Sequence, residues 1–132
     1  MRRDNWPSYL HAVISARQRM PFEWGAQDCV MFAAACIESV TEMNPIADLE
    51  PWDDERSAIR RISEVGGIEA WLDAHYGRIQ WHEAMRGDVG VIDQESGTTV
   101  LVVNTGAEWV GPSEEGLTPS PLSAARAAWR IE

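Results

Sequence analysis

The stretch Phe22-Glu23-Trp24-Gly25-Ala26-Gln27-Asp28-Cys29 sets a thiol behind an aromatic-glycine turn and an aspartate, where the uncharged run Cys29 to Ile37 begins. Asp is a helix N-cap residue type, so this spacing predicts Cys29 in the first turn of a helix. Unpaired N–H groups and the positive end of the helix dipole favour a thiolate there, and cysteines at such positions can have pKa values of roughly 3.5 to 7.5. The chemistry on offer is nucleophilic attack by Cys29. It requires a base to take the proton and donors facing the developing oxyanion. The helix start can supply the donors. The plainer reading of Cys29 is a small buried core residue.

A base is harder to find. The three histidines are His11 on a first helix, His75 near the end of a later one, and His82 ahead of the second half. Each reads as a surface or helix-end residue, and His82 is the best alternative base because Gln80-Trp81-His82-Glu83 leads into Gly87-Asp88. Phe22 and Trp24 read as walls of the helix start that pack the core, in preference to a substrate platform. Cys36 reads as core. On one helix the two cysteines lie about 10.5 Å apart at about 1.5 Å rise per residue, too far to bond. Two thiols make neither a zinc nor an iron–sulfur site, the acids from Asp48 to Glu55 lack calcium-loop spacing, and no paired carboxylates stand out. No metal and no cofactor is expected, and Asp88 reads as a turn or strand-start hydrogen-bonding residue.

The elements that must hold these residues change character halfway along. Asn5-Trp6-Pro7 predicts an N-cap and helix start, with Trp6, Leu10, Val13 and Ile14 as one apolar stripe. Met20 to Gly25 is an irregular packed turn, and the run after Asp28 is a central buried helix, apolar on all sides. An acidic connector then leads into a helix around Ser57 to Ile62 that Gly66-Gly67 ends. Ile68, Trp71 and Leu72 carry another short helix, which Gly77 stops. From Arg78 the pattern turns to short β-type runs at Ile79 to Trp81, Asp88 to Ile92, Thr98 to Val103 and Trp109-Val110. Gly111 to Pro121, rich in Pro, Ser, Glu and Gly, is expected to be an exposed loop, after which Ala124 to Ile131 returns to pack. The expectation is one α+β domain over 1–132, a buried central helix packed on a small antiparallel sheet.

Composition narrows the classes of function. The chain has 132 residues, 45% of them apolar, and seven Trp, enough for a core without disulfides. All 11 basic residues are Arg, which removes every mechanism that needs a lysine. A formal charge of −10 without a basic stripe argues against nucleic acid as a partner. Nine apolar residues in a row fall far below the roughly 20 of a membrane-spanning helix, and no apolar segment follows Arg2-Arg3, so a soluble protein without a secretory signal in a reducing compartment is expected.

Phe22-x-Trp24-Gly25-x-x-Asp28-Cys29, followed by an apolar helix and later by Arg86-Gly87-Asp88-Val89 at the head of a strand, resembles the NlpC-like branch of papain-like cysteine peptidases and amidases. The opening Trp6-Pro7, Pro21-Phe22 and the closing Ala128-Trp129-Arg130 are similar to a phage and prophage group encoded among tail genes. The resemblance implies a papain-like fold with Cys29 as nucleophile and Phe22, Trp24 and Asp28 around it. It also implies a histidine in a His-Val-Gly-Ile type strand, where this chain has Thr98-Thr99-Val100-Leu101-Val102. Thr99 occupies the histidine position, and a threonine hydroxyl cannot take a proton from a thiol near neutral pH. The orienting third residue would come from near Glu108 or Trp109. The expectation is therefore a tail-associated structural or assembly protein with a degenerate peptidase scaffold. Its partners would be other tail proteins, and its location the bacterial cytoplasm during assembly and then the virion tail. The alternative is an active peptidase or amidase that cleaves peptidoglycan peptides during cell-wall penetration.

Overall fold

The computed structural model describes residues 1–132, and the uncharged run after Asp28 lies at its centre. It forms α2 (Cys29–Thr41), in which Phe32, Ala33, Cys36, Ile37 and Val40 are fully buried. Such a helix has no face to give to water and must be covered on several sides. α1 (Trp6–Arg17) covers one of them through buried Leu10, with Trp6, Val13 and Ile14 packed around the same stripe. Asn5 does not cap this helix as expected. It takes a left-handed backbone (φ 61°) without a side-chain capping bond, and Pro7 in the first turn, its φ fixed near helical values, favours the start instead.

α3 (Glu55–Glu64) opens on a reciprocal cap. Asp54 Oδ1 accepts from the Ser57 amide at 2.7 Å, and the Asp54 amide donates to Ser57 Oγ at 3.3 Å. The Ser57 hydroxyl, which donates to Asp54 Oδ1 at 2.7 Å, and the Ser57 amide hold the exposed Asp54 carboxyl below the usual carboxylate range. Gly66 and Gly67, both at positive φ, separate α3 from α4 (Ile68–His75), which buries Trp71 and Leu72.

The second half is a six-stranded, wholly antiparallel sheet, so the fold class is α+β with four helices. Its strands are β1 (Gly77–Ile79), β2 (Val89–Asp93), β3 (Thr99–Asn104), β4 (Trp109–Ser113), β5 (Gly116–Ser120) and β6 (Ala127–Arg130), in the order β1-β6-β2-β3-β4-β5. Trp81, expected in the first strand, lies instead in a single 3₁₀ turn, Trp81–Glu83. β6 runs between β1 and β2, which makes the C-terminal stretch an interior strand and not merely a segment that packs. Side chains alternate across the sheet. Val89, Val91, Leu101 and Val103 join the core beneath the helices, while Val102, Trp109 and Ala128 form a smaller cluster on the far face with Trp81 and Leu122.

The expected loop from Gly111 to Pro121 is most of a β-hairpin. β4 and β5 pair from Trp109↔Ser120 to Ser113↔Gly116 around Glu114-Glu115, and Gly116 supplies the positive φ (115°) that closes so tight a turn. Its composition misleads because β5 is an outer strand, where Pro119 can sit without breaking a ladder on both sides.

Asp88 ties the two ends of the chain to the sheet. Its fully buried carboxylate accepts from Arg2 at 2.8 Å and from the amides of Ile131 and Met85 at 2.9 Å each. Arg2 also donates to the carbonyls of Ile131 (2.8 Å) and Arg86 (2.6 Å). Asp88→Ala would leave the guanidinium and two amides without their acceptor, and is expected to cost about 3–5 kcal/mol. A urea-unfolding midpoint unchanged from the parent would refute this role.

Candidate functional site

Asp28 organises the start of α2. Its Oδ1 accepts from the Met31 amide at 2.8 Å, which is the N-cap bond. Its Oδ2 accepts from the Gly25 amide at 2.8 Å and from the indole Nε1 of Trp52 at 2.7 Å. One buried carboxylate thus joins the aromatic-glycine turn, the helix and the connector before α3. Gly25 has φ 80°, and a Cβ there would collide with the Trp52 carbonyl, so the turn and the connector can approach this closely only with glycine.

Cys29 is the first residue of α2 and is partly buried. The donors of the helix start are opposed by desolvation. Burial pushes the Cys29 thiol up, and the adjacent Asp28 charge adds to this. The backbone groups of Leu101, of Cys29 itself and of Val30 pull the other way without prevailing. Cys36, deep in the core, is pushed up to about 12 by burial.

Cys29 is one of the residues lining a groove of about 880 Å³. One wall is the turn with Phe22 and Trp24, whose rings meet edge to face at 4.8 Å. Trp24 is 36% exposed, so it lines open space where core packing was expected. α3 forms a second wall through Ala58, Ile59 and Ile62, and the third is the sheet at β3 and β4. The charged side chains that line the groove, Asp28, Glu55 and Glu114, are all acidic.

Cys29 and Thr99 line this same groove. Thr99 shares the helix-facing side of β3 with Leu101 and Val103, and its hydroxyl donates to Asp93 Oδ1 at 2.8 Å. Asp93 is in turn paired with Arg126 at 2.6 Å. No histidine is among the lining residues. His82 is exposed on the 3₁₀ turn, whose Trp81 packs on the far face of the sheet from α2. His11 contacts Ser15 on α1, and His75 Nδ1 meets the Trp71 carbonyl. Neither Glu108 nor Trp109 reaches the groove; Trp109 is fully buried and donates through its indole to the Leu122 carbonyl.

Three contributors escaped the sequence reading: Trp52, the α3 wall and Pro112. A lone Trp inside an acidic connector is the signal that could have marked the first, because a large apolar ring among charges needs a burial site. The helical spacing of Ile59 and Ile62 within Ser57 to Ile62 carries the second.

Asp28→Ala should destabilise the protein by about 2–3 kcal/mol, since it removes a cap and strands two buried donors. The Trp52 indole N–H resonance should move upfield as it loses its carboxylate partner. An unmoved resonance in a folded variant would show that Asp28 does not hold the connector.

A search of curated proteins finds no match to this chain. A family model described as a domain of unknown function, DUF6950, matches residues 1–131. The chain belongs to that family.

Proposed function

We propose that this protein is a phage or prophage tail-associated structural or assembly component, built on a papain-like, NlpC-like scaffold whose peptidase site is incomplete. The observation that carries the reading is the make-up of one groove. Cys29 and Thr99, the positions that correspond to the nucleophile and the histidine in the resemblance, both line it, and no imidazole does. A thiol raised by burial and left without a base is a poor nucleophile at neutral pH. What such a scaffold retains is a deep, largely apolar, acid-rimmed groove suited to holding another protein. Its partners are then other tail proteins, met in the bacterial cytoplasm during assembly and kept in the virion tail.

The second reading, an active peptidase or amidase on peptidoglycan peptides, is favoured by one feature. The backbone groups of Leu101, Cys29 and Val30, which pull the thiol's pKa down, are the kind of donors that a thiolate or an oxyanion uses.

Thiol reactivity and particle incorporation separate the two. With a raised pKa, Cys29 is mostly protonated at pH 7. Its alkylation by iodoacetamide should be slower than that of free cysteine, climbing roughly tenfold per pH unit into the alkaline range. A rate already at its plateau below pH 7, or muropeptide cleavage that Cys29→Ala abolishes with the fold intact, would favour the enzyme and overturn the proposal. The tagged protein should co-purify with the tail proteins of assembled particles. Recovery as a monomer that enters no particle would count equally against it.

A further inference from the structure

Two walls of the groove carry exposed carboxylates. Glu55 opens α3 on the helix wall, and Glu114 lies in the turn of the β4–β5 hairpin on the sheet wall. Neither takes part in an ion pair of this chain. The arginines of α3 do not supply one. Arg61 is bound to Glu50 at 2.7 Å and to Glu64 at 3.0 Å, Arg56 and Arg60 act on Asp54, and none of the three lines the groove. Asp28, the third lining acid, has its oxygens committed to Gly25, Met31 and Trp52. The negative charge offered to an occupant is therefore that of Glu55 and Glu114.

Trp24 stands in the same groove without a cation on its ring. Three other aromatic rings of this chain carry an arginine: Arg2 lies 4.3 Å from the Trp6 ring centre, Arg3 3.5 Å from that of Tyr9, and Arg78 4.8 Å from that of Trp129. Trp24 instead meets Phe22 edge to face and leaves 36% of its surface open. An indole face and two carboxylates in one groove are the groups that recognise a guanidinium, whose planar fork matches a carboxylate and whose flat face stacks on an aromatic ring. Ile59, 58% exposed on α3, and Ile62, half-buried three residues on, add apolar surface to the helix wall that a guanidinium alone would not cover.

We propose that this groove is the docking site for a segment of a partner protein that presents an arginine beside a large apolar side chain. The arginine is taken by Glu55, Glu114 and the face of Trp24, and the apolar side chain by Ile59 and Ile62. Charge decides the kind of partner, because like-charge juxtaposition suppresses wrong pairings and opposite charge fixes right ones. A second copy of this chain, at −10, is repelled by the first. The inference rests on the proposed reading in which the groove holds another protein, and it names the chemistry of that partner's contact.

The test is affinity selection of a random dodecapeptide library on the full chain at low salt, with the selected peptides then titrated into the unaltered protein and followed by NMR. Enriched peptides should pair Arg with an aromatic or branched apolar residue and should move the Trp24 indole resonance. Replacing the peptide's Arg by citrulline, which keeps the shape and removes the charge, should weaken binding by about tenfold, and so should Glu55→Gln/Glu114→Gln in the protein. Asp4→Asn/Glu38→Gln, which neutralises two exposed acids outside the groove, should bind within about twofold of the parent. Failure to enrich any peptide, enrichment of peptides without Arg, an unmoved Trp24 resonance, or equal losses in the two double variants would overturn the proposal. A Trp24 resonance that moves with protein concentration alone would assign the groove to a second copy and overturn it too. The citrulline comparison uses the unaltered protein and stands if a variant does not fold. Because the selection needs no particle, a protein that binds such peptides but enters no tail would sink the tail assignment alone. One that enters tails without binding them would sink arginine docking alone.

Discussion

A single buried carboxylate holds the groove open. Asp28 binds an amide in the turn before α2, an amide inside α2 and the indole of Trp52 beyond it, and each bond is charge-assisted. Through Gly25 and Trp52 it holds the Phe22–Trp24 wall against the connector into α3. The cost of burying that charge is offset by three donors at 2.7–2.8 Å and by its place at a helix N-terminus, where the dipole favours an anion. The same charge has a consequence one residue later. It opposes ionisation of Cys29, so the interaction that builds the site also makes its thiol less reactive.

Three influences meet at the Cys29 sulfur, and their order decides its chemistry. Helix-start amides and the Leu101 backbone favour the thiolate, while burial and Asp28 favour the thiol, and burial is the largest. An imidazole in contact with the sulfur would reverse this order, since an imidazolium stabilises a thiolate directly. At Thr99 the chain has a hydroxyl already committed to Asp93, which is held by Arg126, itself bound to Glu69 of α4. That position belongs to a surface charge network that bridges the sheet and α4. It contributes no group that takes up a proton near neutral pH.

How much of this was legible in the sequence depended on the range of the interaction. The buried helix, its Asp28 cap and the Gly66-Gly67 break were readable because each is a local preference within a few residues. The position of β6 was not, because Ala127–Arg130 becomes an interior strand only through pairing with β1 and β2, far earlier in the chain. The β4–β5 hairpin was hidden by its own composition. Pro112 and Pro119 look like loop residues until the sheet order places one where the β3–β4 ladder ends and the other on an outer strand. Cys29 shows the same divide. The helix-start effect on its pKa follows from sequence, whereas the burial that outweighs it depends on β3 crossing beneath.

The junction of β3 and β4 connects these points. β4 lies against β3 at Gly111, where a Cβ would stand 3.2 Å from a Val102 methyl and 3.5 Å from the Leu101 carbonyl. A proline at 112 ends the ladder at Val103↔Val110, and the hairpin is then anchored elsewhere, by the Phe22 amide on the Ser113 carbonyl and the Leu117 amide on the Gln18 carbonyl. Those anchors lie on the chain segment between α1 and the Trp24-Gly25 turn, so the hairpin and the aromatic wall are fixed to each other. The groove is therefore held from two sides, by Asp28 at the helix and by the α1–α2 segment at the hairpin. The bonds that hold its walls, to the Asp28 carboxylate and to the Ser113 and Gln18 carbonyls, do not involve the thiol.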